Sequence, residues 1–69
     1  MTLRELAERF TRDYEFKVQD ENEKHLGKME RNELVLLDYA VAKLEVTDYK
    51  LSEIYYNTVN VTVFRGEAF

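Results

Sequence analysis

The chain has no cysteine and no proline, and among its 69 residues only two glycines, one histidine and one serine. Without cysteine no disulfide can staple the core and no thiolate can hold a metal. That usage fits a reducing, cytoplasmic setting. Without proline there are no rigid turns and no polyproline II segments. Gly27 and Gly66 stand far apart, so no glycine-rich loop can cradle a phosphate. The first 30 residues carry no signal-like apolar stretch, and no run approaches the roughly 18 apolar residues that suggest a membrane span.

Scarcity also limits the chemistry. Ser52 is the one serine and His25 the one histidine, and no nucleophile-elbow pattern surrounds Ser52. The stretch from Asp20 to Gly27 matches a calcium loop only in its first three positions. Its fifth position is Lys24 and its twelfth Arg31, where that motif needs a ligand oxygen and a bidentate glutamate. No metal site and no cofactor are expected. The chain is short for enclosing a substrate, so a non-enzymatic protein is the expectation.

What is present is charge and apolar periodicity. Hydrophobic residues make up 45% of the chain, which excludes a disordered tail. The net charge is −4, and its distribution is uneven. Residues 1–12 hold three bases and two acids, residues 13–38 four bases and eight acids, and residues 39–69 three bases and four acids. An acidic middle argues against direct binding to a phosphate backbone, which needs clustered Lys and Arg. It is compatible with a protein partner that has a basic surface.

The densest apolar run covers residues 33–47. Leu34, Leu37, Val41 and Leu44 recur at helical spacing, whereas Ala42, Leu44 and Val46 alternate as in a strand. The reading divides it into a helical turn over 33–38, capped by Asn32, and a strand over 39–47. One helix over the whole run is the rival. Residues 2–12 predict a helix: Thr2 and Glu5 form a capping box, Met1 and Leu6 a hydrophobic staple, and Leu3, Leu6, Ala7 and Phe10 one apolar face. Glu5 with Arg9 and Glu8 with Arg12 stand as i,i+4 ion pairs.

Tyr14, Phe16 and Val18 alternate with polar residues and predict a strand. A turn over 20–23 follows, with Asn22 placed to adopt the left-handed conformation. Residues 24–30 predict a weak edge strand, in which Lys24 and Lys28 discourage further pairing and Gly27 marks a bulge or a bend. In residues 48–57, Leu51 and Ile54 are expected to be buried and Ser52 to cap a single turn. Val59, Val61 and Val63 alternate with polar residues and predict the last strand, 58–64.

These elements make an α+β domain over 1–64 with a tail at 65–69. A helix packs on a small, mostly antiparallel four-stranded sheet in the order α-β-β-turn-β-β. The expected core is Leu3, Leu6, Phe10, Phe16, Val18, Leu37, Ala42, Leu44, Val46, Val59, Val61 and Val63.

The layout resembles small uncharacterised proteins of bacteriophages and conjugative elements of Gram-positive bacteria. The matching residues are Thr2-Leu3-Arg4-Glu5-Leu6, Phe16-Lys17-Val18-Gln19-Asp20, the run from Asp38 to Val46, and Val59 to Val63. That resemblance implies no established activity. In size, acidity and build the chain is also similar to anti-CRISPR inhibitors of host nucleases, although −4 is a modest charge and bases are interspersed throughout.

Two features carry the functional expectation. Asp20, Glu21, Glu23, Glu30, Glu33 and Asp38 surround the hairpin, and Tyr39, Tyr49, Tyr55 and Tyr56 form a tyrosine group suited to an interface. The partner-binding residues are taken to be Asp20, Glu21, Glu23, Glu30, Tyr49, Tyr55 and Tyr56. They suggest a protein-binding module, acting as an acidic inhibitor of a nucleic-acid-handling protein in a host cytoplasm. The alternative is an assembly subunit that forms a homodimer through a sheet edge or its tyrosine face.

Overall fold

Thr2 starts the first helix as its sequence requires. Its hydroxyl accepts from the Glu5 N–H at 3.2 Å, and the Glu5 carboxylate accepts from the Thr2 N–H at 3.0 Å. The computed structural model describes residues 1–37 and 40–66. Helix α1 spans Leu3–Glu8, shorter than the 2–12 expected, because the chain must turn to reach the sheet. Its ion pair is Arg4 with Glu8, 3.4 Å apart and exposed, rather than the pairs expected from spacing. Glu5 is turned back to its cap, and the N–H of Thr2 holds its carboxyl below the usual range.

Strand β1, Glu15–Gln19, and strand β2, His25–Glu30, form an antiparallel hairpin. Helix α2, Arg31–Leu36, follows directly, with Glu30 rather than Asn32 at its N-cap. A 3-10 helix over Ala40–Lys43 leads into strand β3, Glu45–Leu51, and strand β4 is Thr58–Phe64. Of the strand expected over 39–47, residues 45–47 belong to β3, whereas 40–43 form the 3-10 turn instead, which buries Ala42. A small side chain there lets this turn approach α1. Asp38 and Tyr39 lie outside the described residues, as do residues 67–69.

The sheet order is β2-β1-β4-β3. Its two outer pairs are antiparallel, but the central pair, β1 with β4, is parallel. This corrects the mostly antiparallel layout to a mixed sheet. The parallel register sets Phe16 beside Val59 and Val18 beside Val61. All four side chains therefore share one face, and all are buried. Leu3, Leu6 and Ala7 of α1 and Leu34 of α2 complete the core on that face. Arg31 ties the helices together, donating from Nε to the carbonyl of Ala7 at 3.1 Å and also to that of Phe10. Phe10 packs on Phe16 edge-on, with ring centroids 5.5 Å apart.

The remaining core expectations divide. Phe10, Leu44 and Val46 are partly buried against the cluster. Leu37 is 51% exposed, and Leu51 and Ile54, also expected inside, are 54% and 83% exposed. No helix of the described residues is long and apolar enough to cross a membrane.

Candidate docking surface

The two ends of the β1–β2 hairpin separate the acidic residues. Asp20, Glu21 and Glu23 sit at its turn, whereas Glu30 lies opposite Glu15 at the far end, roughly 15 Å away along the strand. Asp20 is buried. Its Oδ1 accepts from the N–H groups of Asn22 and Lys24 at 2.8 and 2.9 Å, and Arg65 Nη1 stands 3.6 Å from its other oxygen. The carboxylate thus folds the turn, as Asx side chains do. Glu23, not Asn22, takes the positive φ. Glu21 is also engaged within the chain. It accepts from the N–H of Gly66 at 2.9 Å and from that of Arg65 at 3.2 Å, and these bonds, the Gly66 one above all, lower its pKa. The start of the expected tail is therefore pinned to the hairpin. Asp20, Glu21, Glu23 and Glu30 do not make one surface.

The tyrosines fall elsewhere. Tyr49 lies on β3, and Tyr55 and Tyr56 lie in the loop before β4. All three are exposed. Ser52 caps that loop as expected, accepting from the N–H groups of Ile54 and Tyr55 at 3.2 and 3.0 Å. Tyr55 leans over Lys17, whose Nζ is 5.9 Å from the ring centroid. Ile54 and Tyr56 stand out into solvent.

Strand β3 is where sequence reasoning missed a surface. In its register, Tyr49 is opposite Val61 and Leu51 opposite Val59. Directly paired residues share a face, so Tyr49 and Leu51 lie on the face that carries the core. Even so, they are 44% and 54% exposed, because the helices leave this margin uncovered. The backbone is open too. Ser52 N–H donates to the Thr58 carbonyl at 2.8 Å, so Ser52, Lys50 and Asp48 turn their amides toward β4. By the alternation of an antiparallel ladder, Tyr49 and Leu51 turn theirs to the outer edge.

The beginning of that edge is occupied. Val46 N–H donates to the Met1 carbonyl at 2.7 Å, and Leu3 N–H donates to the Leu44 carbonyl at 3.0 Å. Thr2 and Glu45 form an isolated antiparallel bridge, and the Met1 ammonium meets Glu45 Oε2 at 2.8 Å. Beyond Val46, among the described residues, nothing pairs with the outer edge of β3, the edge away from β4. The signal in the sequence was the alternation of Asp48 and Lys50 with Tyr49 and Leu51. The expectation that Leu51 and Ile54 are both buried obscured it.

The single histidine and the single serine are far apart. His25 is on β2 and Ser52 follows β3, at opposite edges of the sheet. Among the described residues no three His, Asp or Glu side chains gather where they would hold a metal ion. The outer sheet face carries shallow depressions lined by Lys17, Gln19, His25 and Asn60, and by Glu15, Lys28 and Tyr55. Charges of both signs alternate there. No protein-family model, no curated protein and no solved structure matches this chain.

Proposed function

We propose that the chain is a non-enzymatic protein-binding module whose docking surface is the open edge of β3, flanked by Ile54 and Tyr56. One observation carries this reading. Tyr49 and Leu51 present unpaired backbone groups and exposed apolar side chains along the same five residues. An extended partner strand added there gains ladder hydrogen bonds, and its side chains meet Tyr49 and Leu51 on the core face. The protein-binding class expected from composition is kept, and its surface moves from the acidic hairpin to β3. Glu21 and Asp20 serve the fold, so the inhibitor reading, which needs them free, is not part of this proposal.

A photo-crosslinking residue placed at Tyr49, and in a control chain at Lys28 on the opposite edge, tests it in cells expressing the protein. A discrete protein adduct at position 49 and none at position 28 is expected. No adduct at 49, or equal adducts at both positions, overturns the reading.

A further inference from the structure

The free part of β3 has two boundaries. At one end Met1 to Leu3 occupy the edge beside Glu45 and Val46. At the other the strand ends at Leu51, and a bend begins at Glu53. The open stretch is therefore 47–51, and its centre is Tyr49. Two copies of this stretch running antiparallel overlap fully in one register alone, with Tyr49 facing Tyr49 across a two-fold axis. Tyr49 is also a residue whose N–H and C=O point outward, so the two central residues can exchange both hydrogen bonds.

That register has a second property, independent of length. It sets Lys50 of each copy opposite Asp48 of the other. Both side chains are exposed, and both lie on the outer face, because their partners on β4 are Asn60 and Thr62. Opposite charges directly across a ladder attract, and like charges repel. A shift of two residues in either direction would lose both pairs: one sets Asp48 opposite Asp48 and runs Lys50 onto the occupied edge at Val46, and the other sets Lys50 opposite Lys50.

We infer that the strand seated on β3 is β3 of a second copy, giving an isologous dimer with one continuous eight-stranded sheet. The two helical layers then lie on the same side, with Tyr49 of each copy against the other. This inference rests on the reading of β3 as the docking edge and names its partner.

Sedimentation velocity of the full chain, from low micromolar to millimolar concentration, tests it. The mass should rise from one chain to two. D48K sets two ammonium groups opposite each other at both ends of the pairing, and K50D sets two carboxylates there. Each should weaken the dimer about tenfold. The double variant D48K/K50D restores both attractions and should return the dimer toward the original strength. Both positions are exposed, so the fold should tolerate the changes. In the unaltered protein, the Tyr49 and Leu51 amides should exchange more slowly as concentration rises, whereas the Lys28 amide should not. A monomer at millimolar concentration overturns the inference, as does a dimer indifferent to both single variants, or a double variant as weak as the singles. If the chain is monomeric while the Tyr49 crosslink captures a different protein, the docking edge stands and the second copy falls.

Discussion

The two edges of this sheet solve the same problem in opposite ways. An edge strand exposes every second amide and carbonyl, and proteins blunt such edges with bulges, charges and covers. On β2 the outward amides belong to Lys28 and Glu30, since Arg31 N–H already bonds to the Tyr14 carbonyl and fixes the phase of the ladder. The Glu30 N–H is met by the Glu33 carboxylate at 3.4 Å. A bulge at Leu26 interrupts the ladder, and Gly27 beside it adopts φ of 151°. On β3 the outward amides belong to Tyr49 and Leu51, both apolar and exposed; a bulge at Thr47 marks only the beginning of the open stretch, and from Asp48 to Leu51 nothing among the described residues covers the edge. One edge is closed by its own sequence, and the other is left able to accept a strand.

The closed edge should therefore be costly to alter and the open edge cheap, as far as the monomer's stability is concerned. The largest effect is expected at the hairpin turn. Asp20→Ala removes the acceptor for two backbone N–H groups and leaves Arg65 without this carboxylate. Losing these part-buried bonds to a carboxylate should cost about 2–3 kcal/mol together. Urea denaturation should show that loss. A change below about 1 kcal/mol would mean that the turn is held by other contacts.

Much of this asymmetry was visible in the sequence, and the parts that were not share a cause. The Thr2–Glu5 capping box, the alternation of β1 and that of β4 are local signals, and local bonds satisfy them. Lys28 and Gly27 announced a guarded edge. The parallel pairing of β1 with β4 was not legible, because period-2 alternation says which face a side chain takes and not which strand lies beside it. Residues 40–43 were misread because Ala42 and Leu44 continue the alternation of Val46 by coincidence. Ala42 is buried because it is small and faces α1, not because it is pleated. At the candidate site, Tyr49 was found as an exposed aromatic, but its unpaired amide depends on the phase set by Ser52 and Thr58. The acidic residues looked alike in sequence. Hydrogen bonding and burial separate Asp20, which builds the turn, from Glu23, which stands exposed.

Gly27 sharpens the comparison at the next level down. A Cβ there would meet nothing closer than Met29 Cε at 3.6 Å, so space is not the obstacle. The backbone is: φ of 151° is strained for any L side chain. Gly27→Val should cost about 1–3 kcal/mol. Slower amide exchange along β2 in that variant would show instead that the strand had flattened into an ordinary edge.

On the other edge, Tyr49→Lys should change the monomer's stability by no more than about 0.5 kcal/mol, as for an exposed site away from special contacts. The same substitution places an ammonium at the centre of the docking strand and should abolish association. Denaturation at low concentration and sedimentation at high concentration separate the two effects. A large loss of monomer stability would show that the Tyr49 ring serves the core rather than a partner.

The smallest effect concerns how the closed side is fastened to the end of β4. Glu21 accepts from the amides of Arg65 and Gly66, and those bonds lower its pKa. A carboxyl whose pKa is lowered by folding stabilises the folded state above the ordinary carboxylate range. That contribution is lost as pH falls through the lowered value. The Gly66 amide proton, followed by NMR through an acid titration, should therefore move toward the position of an unbonded amide, with a midpoint below that of an exposed glutamate. Glu21→Gln should abolish the titration while leaving a neutral acceptor in place. Because Glu21 is exposed, the global unfolding midpoint should hardly change. If the Gly66 amide keeps its position through the transition, the turn and the end of β4 are held together by the Asp20–Arg65 contact instead. The closed side would then depend on one carboxylate, the buried Asp20, rather than on two.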